Sequence, residues 1–145
     1  MRAVIQRVSS ASVAVDGECI ASIGRGLLVL LGLERPDDLA SGRRMLDRLL
    51  AYRVFSDDQG RMNRSVVDIG GGVLLISQFT LAADTRKGRR PGFSAALPPE
   101  EAAALYQHLL AELRERHPLV GAGEFGADMQ VSLVNDGPVT FVLES

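Results

Sequence analysis

One stretch of the sequence predicts both a central element of the fold and a candidate functional site: Gly70-Gly71-Gly72-Val73-Leu74-Leu75-Ile76-Ser77-Gln78-Phe79-Thr80-Leu81. Its short apolar run, bounded by glycines, predicts a buried strand. The polar side chains of Ser77, Gln78 and Thr80 follow at the point where that strand ends. Loop residues that directly follow a strand or helix often bind ligands or take part in catalysis. This segment is therefore the first candidate for a functional site.

Strands are also predicted on the amino-terminal side of this stretch. Residues 3–8 and 12–15 have strand composition, and Asp16-Gly17 is a turn signal that joins them to a strand over Glu18–Ile23. Residues 27–33 are almost continuously apolar. Such a run is typical of a central strand that is covered on both faces.

Two helices are predicted between and after these strands. Pro36-Asp37-Asp38 supplies a helix start, and leucines at helical spacing up to Tyr52 give the helix one face that packs on the sheet. A second helix begins at Pro98-Pro99 and ends before Pro118. Its buried stripe is predicted to contain Ala102, Leu105, Tyr106, Leu109, Leu110 and Leu113.

The last part of the chain is predicted to be β structure. Residues 129–133 alternate between apolar and polar, as do residues 139–144, and Asn135-Asp136-Gly137-Pro138 is expected to turn the chain between them. Helices placed within a strand-rich chain indicate a mixed α/β architecture. No linker or repeat interrupts the chain, so residues 1–145 are expected to form a single domain.

Composition excludes several classes of protein. Hydrophobic residues make up 46% of the chain and charged residues 23%, which predicts a packed core. Sixteen Lys and Arg against eighteen Asp and Glu give a net charge of −2, so any RNA contact must be local. The densest basic stretch contains Arg86, Lys87, Arg89 and Arg90. It lies in a non-periodic loop long enough to indicate a binding role, although charges in a solvated loop that serve solubility are the alternative.

Cysteine use and hydropathy favour the cytoplasm. The single cysteine, Cys19, cannot form an internal disulfide bond, and the first residues lack the pattern of a signal peptide. The apolar runs are far shorter than the roughly 18 residues that indicate a membrane span. We therefore expect a cytoplasmic protein that does not contact a membrane.

The familiar catalytic groupings are missing from the sequence. Cys19 lies in an early hairpin, far from His108 and His117, which are predicted as a helix-surface residue and a helix-end cation. No metal-ligand spacing is found, so no metal is expected. Ser77 and Thr80 have no evident general base. Gln78 and backbone N–H groups at the strand end can instead stabilise an oxyanion without titrating, if the substrate supplies a group that activates water.

Two motifs give the chain a resemblance to a known family. Ser77-Gln78-Phe79-Thr80-Leu81 and Asn135-Asp136-Gly137-Pro138-Val139-Thr140 both resemble segments of the D-aminoacyl-tRNA deacylases. The resemblance extends through residues 1–8, 26–32, 52–55, Met62-Asn63, Arg90-Pro91, Phe93-Ser94 and residues 127–131. It implies a three-layer β/β/α fold with barrel-like, antiparallel-rich sheets and two main helices.

The resemblance also implies an activity and its partners. Members hydrolyse the ester of a D-aminoacyl-tRNA, so the expected products are a D-amino acid and tRNA, with glycyl-tRNA mischarged on tRNA-Ala as a second substrate. The implied partner is the 3′ end of aminoacyl-tRNA, and no DNA partner and no cofactor are expected. An ester on the terminal ribose lies beside a 2′-hydroxyl, which can supply the water-activating group that the protein lacks.

The resemblance implies roles for particular residues. Gly137-Pro138 is expected to have a cis bond, to direct two carbonyl oxygens into the site of the other subunit of a homodimer, and so to reject L-residues. Arg7 corresponds to the arginine that fixes this segment. Phe79 is expected to face the terminal adenosine. Gln78 and Thr80, the candidate catalytic residues, border the ester. The remaining expected substrate-binding residues are Ser77, Phe125 and Met129.

Other interpretations of the same residues stay open. Phe79 and Leu81 can belong to an ordinary strand end and point inward, and Gly137-Pro138 can be a plain hairpin turn. A serine or threonine esterase would use Ser77 or Thr80 and would give a covalent adduct with an acylating probe. A noncatalytic nucleic-acid-binding dimer would use the Arg86–Arg90 loop and would show salt-dependent binding without ester turnover.

Overall fold

The longest strands organise the fold of this computed structural model, which describes residues 1–145. Strand β1 (Arg2–Val15) pairs antiparallel with β8 (Met129–Glu144) along its whole length. Its other edge is shared: the first half pairs with β3 (Gly26–Gly32) and the second half with β2 (Glu18–Ile23). The sheet therefore divides along β1, with β2 and β3 leading away from the same edge.

Parallel strands extend the sheet from β3. Strand β6 (Gly72–Ser77) lies beside β3, and the short β7 (Val120–Ala122) lies beside β6. On the far side β7 approaches β2, where a Cβ atom added to Gly121 would lie only 3.2 Å from the Cβ of Ala21. The sheet is thus nearly closed, and the predicted mixed α/β, barrel-like fold is confirmed.

Two hydrophobic cores lie on opposite faces of the central strands. Leu27, Val29 and Leu31 of β3 face a large core shared with the helices, whereas Leu28 faces a small core inside the curved sheet. Strand β6 alternates in the same way, because Val73 and Leu75 join the first core while Leu74 and Ile76 join the second. Both strands are therefore covered on both faces, as their continuous apolar sequences predict.

Two helices form the outer layer. Helix α1 (Leu39–Ala51) begins with a capping box, in which the Asp38 carboxylate accepts from the Ser41 N–H at 2.8 Å and the Ser41 hydroxyl accepts from the Asp38 N–H at 3.0 Å. Helix α2 (Pro99–Arg116) buries the six residues predicted for its stripe. A two-stranded ribbon, β4 (Phe55–Ser56) and β5 (Met62–Arg64), follows α1. Neither helix is long and apolar enough to cross a membrane.

His117 differs from its predicted surroundings. The sequence predicts a helix-end cation, but His117 is only 4% exposed, and its Nε2 atom lies 2.6 Å from the Gly71 carbonyl oxygen. His117 is the residue at which the chain leaves α2, and Gly71 belongs to the glycine-rich segment that leads into β6. His117 therefore joins the end of the helix to the sheet, whereas His108 is exposed as expected.

The predicted turn at Asn135–Pro138 is wrong. Residues on both sides of it pair antiparallel with β1, Gln6 opposite Thr140 and Val8 opposite Asn135, so the chain continues in the same direction. The register shifts between these pairs, and the additional residues bulge out of β8. The segment is a bulge in one continuous strand and does not close a hairpin.

Candidate active site

A cavity of about 670 Å³ opens at the carboxyl end of β6. Its floor is Ile76 and Ser77, and its walls come from the segment after β6, the start of α2 and the start of β8. Ten of its seventeen lining residues are hydrophobic, so it suits a ligand with apolar parts and few polar anchors. Arg35 and Asp128 are its charged lining residues, and no histidine or cysteine lines it.

Local backbone geometry directs Gln78 into this cavity. The N–H of Gln78 donates to the Leu31 carbonyl at 2.8 Å, continuing the pairing of β6 with β3, and a 3-10 turn over Phe79–Ala82 follows at once. The Gln78 side-chain amide donates to the Thr80 hydroxyl oxygen at 2.5 Å. Since that oxygen is the acceptor in this pair, the Thr80 hydroxyl hydrogen is free for a ligand. Thr80 is exposed beside the cavity and does not line it.

Phe79 stands at the cavity mouth. Its side chain is 59% exposed, and its ring lies 5.1 Å from the ring of Phe93, tilted by 50°. An ordinary strand end would have turned Phe79 inward, and that alternative fails because the chain leaves the two-residue period of the strand and enters the 3-10 turn. Exposed aromatic faces of this kind are suited to stacking on nucleic-acid bases.

Phe125 and Met129 lie in the opposite wall of the same cavity. Phe125 contacts Tyr106, with ring centres 5.8 Å apart. The Tyr106 hydroxyl donates to the Leu75 carbonyl at 3.0 Å, and burial raises the pKa of Tyr106 to about 12. Tyr106 is therefore a neutral support behind the wall, and it fixes Phe125 relative to β6.

Gly137 and Pro138 lie outside this cavity, on the exposed bulge of β8. Their peptide bond is cis, as expected from the resemblance. Asn135 holds the bulge, because its side-chain oxygen accepts from the Val139 N–H at 2.8 Å and its amide donates to the Thr140 hydroxyl at 2.9 Å. Within one polypeptide chain, the glycine-proline segment is therefore not part of the cavity.

Arg7 fixes the bulge from beneath. Its Nε donates to the Asp136 carbonyl at 2.9 Å, and another guanidinium nitrogen donates to the Val54 carbonyl at 2.8 Å. Gly137 has a φ of +139°, and a Cβ atom there would lie 2.7 Å from a Val139 methyl group and 3.1 Å from the Arg7 guanidinium. The bulge therefore has little space for a side chain at position 137.

One wall of the cavity was not anticipated as part of a site. Arg35, Pro98 and Ala102 line it, yet they are far from Ser77 in sequence. The segment between β3 and α1 brings them in, since the Leu97 N–H donates to the Leu33 carbonyl at 3.0 Å and the Arg35 N–H to the Ala95 carbonyl at 2.9 Å. The signal available in the sequence was Phe93-Ser94, which carries part of the resemblance. No group of three or more His, Cys, Asp or Glu side chains gathers as a metal site.

Comparisons with known proteins identify the chain. A family model described as D-Tyr-tRNA(Tyr) deacylase matches residues 4–144. The D-aminoacyl-tRNA deacylase of Stutzerimonas stutzeri is 62% identical over 145 residues, and that of Azotobacter vinelandii 61%, with complete coverage of both chains in each comparison. A solved structure titled c-Myc DNA Unwinding Element Binding Protein is 45% identical with a TM-score of 0.96, covering 100% of this chain and 99% of its own.

A more distant solved structure supports the fold alone. It is described as a probable eukaryotic D-amino acid tRNA deacylase, is 18% identical, and has a TM-score of 0.85 over 98% of this chain and 97% of its own. Fold, cavity and relatives together define a hydrolase. The chain belongs to the D-aminoacyl-tRNA deacylase family.

Proposed function

We propose that this protein hydrolyses the ester between a D-amino acid and the terminal ribose of tRNA, releasing the free D-amino acid and tRNA. The observation that carries this proposal is the cavity at the end of β6, in which Ser77 and Gln78 meet Phe125 and Met129 beneath an exposed aromatic pair. Such a cavity accommodates an aminoacylated nucleoside, with its apolar part inside and its base at the mouth. The activity would serve chiral proofreading in the cytoplasm.

The substrate is oriented by its base and its ester. Phe79, exposed and braced by Phe93, faces the terminal adenine, and Gln78 and Thr80 border the ester. The first N–H groups of the 3-10 turn, on Phe79 and Thr80, have no acceptor inside that turn and are available to an oxyanion. Ser77 and the opposing wall of Phe125 and Met129 contact the aminoacyl group.

Water is activated by the substrate in this proposal. The Thr80 hydroxyl is paired with the Gln78 amide, which is not a base, and the cavity lining contains no histidine. The 2′-hydroxyl of the terminal ribose lies next to the ester and positions the attacking water. Thr80 therefore orients the reacting groups and forms no covalent intermediate.

A homodimer completes the site. The Gly137-Pro138 segment is exposed, held by Arg7 and Asn135, and separate from the cavity of its own chain. We assign it to the cavity of a second copy, where its backbone carbonyls face the α-carbon of the substrate. The exposed apolar residues of β8, with Val134 at 57% and Val142 at 61%, are consistent with burial between two chains.

In this arrangement the enzyme distinguishes D- from L-aminoacyl esters by steric exclusion of the L side chain. Fixed carbonyl oxygens near the α-carbon leave space for hydrogen, so glycine and D-residues fit, while an L side chain overlaps them. Discrimination at the α-carbon also allows D side chains of many sizes. By the same reasoning glycyl-tRNA is a second substrate, and the family resemblance implies that this is glycine mischarged on tRNA-Ala.

Matched D- and L-aminoacyl-tRNAs test the proposal. Time courses at equal enzyme concentration should show release of the D-amino acid and of glycine, with the L-ester left intact. Equal cleavage of both enantiomers would reject the stereochemical part. A covalent adduct with an acylating probe would favour a serine or threonine esterase, and salt-dependent RNA binding without turnover would favour a noncatalytic binding protein.

A further inference from the structure

Residues 84–92, here called the basic loop, form a surface loop whose two ends are hydrogen-bonded to each other. The Asp84 N–H donates to the Gly92 carbonyl at 2.7 Å, and the Gly92 N–H donates to the Asp84 carbonyl at 3.0 Å. These two bonds join the ends of the loop, and residues 85–92 are all exposed. Its cations therefore project from a fixed base into solvent.

Only one cation of the basic loop is neutralised locally. Asp84 accepts from Arg86 at 2.9 and 2.8 Å, and this guanidinium holds the pKa of Asp84 well below its usual range. Lys87, Arg89 and Arg90 take part in none of the ion pairs of the structure. Three neighbouring unpaired cations on a protein of net charge −2 make a local positive surface.

This positive surface adjoins the cavity mouth. Gly92, at the base of the loop, directly precedes Phe93, which lines the cavity and contacts Phe79. Arg90 is three residues from Phe93, a distance of at most about 11 Å even for extended chain. That span is close to the Debye length at about 0.1 M salt, so an anion near the mouth experiences the charge of the loop.

We propose that the basic loop binds the phosphate backbone of the tRNA acceptor arm, beside the nucleotide whose ester enters the cavity. This inference rests on the proposed function, since it requires that the cavity receive the 3′ end of a tRNA. A phosphate backbone supplies several neighbouring anions for Lys87, Arg89 and Arg90, and backbone contacts position a nucleic acid without reading its sequence. The enzyme gains affinity for the whole tRNA while remaining indifferent to most of its bases.

A charge-removal variant tests the proposal. We compare Lys87→Gln/Arg89→Gln/Arg90→Gln with the control Arg44→Gln/Arg61→Gln/Arg114→Gln, which removes three exposed, unpaired arginines that do not line the cavity. Each protein is assayed on a D-aminoacyl-tRNA and on a D-aminoacyl-adenosine, which lacks phosphates, over a range of salt concentrations. Circular dichroism verifies that both variants are folded.

The two substrates separate the possible outcomes. For the loop variant we expect KM for the tRNA substrate to rise about tenfold or more and the slope of log(1/KM) against log salt to fall in magnitude by about 2 to 3, as for the loss of three phosphate contacts. Its turnover of D-aminoacyl-adenosine should equal that of the wild type. The control should keep most of the wild-type KM and slope.

Two results overturn the inference while the proposed function stands. Equal changes in the loop and control variants would show a general charge effect. An unchanged KM and slope would show that the loop contacts no RNA, as expected if its charges serve solubility. Failure of the wild type to cleave either substrate would instead reject the proposed function itself.

Discussion

Gln78 and Thr80 form a side-chain pair in which neither member is an acid or a base. Their contact is a hydrogen bond between an amide and a hydroxyl, and neither group titrates near neutral pH. A site of this kind acts by orientation and by stabilising charge, so single substitutions should weaken it without abolishing it. Residue-scale tests can therefore separate this account from nucleophilic catalysis.

Thr80→Ala should retain measurable deacylation. Loss of the hydroxyl removes one hydrogen bond, so we expect kcat to fall by no more than about a hundredfold, and Thr80→Ser to remain close to the wild type. Single-turnover kinetics on a D-aminoacyl-tRNA measures both. A fall on the order of 10⁶, as expected for a true nucleophile, together with a trapped acyl-enzyme, would show that Thr80 attacks the ester.

Gly137→Ala should impair activity more than stability. The added Cβ meets the Arg7 guanidinium and a methyl group of Val139, which lies at the edge of the large core, so the exposed bulge must shift while the rest of that core keeps its packing. We expect at least about a tenfold loss of activity on D-aminoacyl-tRNA, with Tm lowered by a few degrees. Gly24→Ala is the matched control, because nothing lies within 4 Å of its Cβ position. Wild-type activity in Gly137→Ala would remove this segment from the site.

At the scale of secondary-structure elements, the sequence predicts those strands and helices whose hydrophobic residues follow a regular pattern. Strands β3 and β6 and both helices carry local patterns, from which the burial of both faces of each strand and of one face of each helix follows. The sequence predicts a turn where β8 has a bulge, because Asn, Asp, Gly and Pro are suited to turns and bulges alike. Pairing with β1 on both sides of the bulge decides between them, and that information is not local.

Other elements escaped prediction for related reasons. Strand β7 has only three residues, too few to show a period. The burial of His117 depends on Gly71, which is 46 residues away in sequence. The cavity wall at Arg35 forms by backbone bonds between distant loops. The part of the site formed by the Ser77–Leu81 motif can therefore be predicted from the sequence. The wall formed by Arg35, Pro98 and Ala102 can be recognised only from the three-dimensional structure.

The capping box of α1 provides an element-scale prediction. The Ser41 backbone N–H lowers the pKa of Asp38, so the carboxylate stabilises the folded state at a pH above its unfolded pKa of about 3.9 and loses this effect as pH falls through the folded value. Asp38→Ala should thus lower Tm at pH 7, and the difference from the wild type should shrink below about pH 4. Thermal melts across pH check this, and a pH-independent difference would contradict the electrostatic cause.

At the scale of the whole molecule, β8 has one edge without a partner. It pairs with β1 alone, and an exposed edge strand with apolar side chains invites association. Light scattering at assay concentration should give a mass of twice 15.6 kDa. An active monomer would remove the cross-subunit site from this account.

Mixed dimers test most directly whether the glycine-proline segment completes a partner's cavity. Gln78→Ala/Phe79→Ala damages the cavity, Gly137→Val damages the bulge, and each variant alone should form an inactive dimer. Random mixing makes half of the dimers heterodimers, each with one intact cavity facing one intact bulge, so activity on D-aminoacyl-tRNA should recover to about a quarter of the wild type. No recovery, with heterodimers demonstrated by mass spectrometry, would contradict the cross-subunit site.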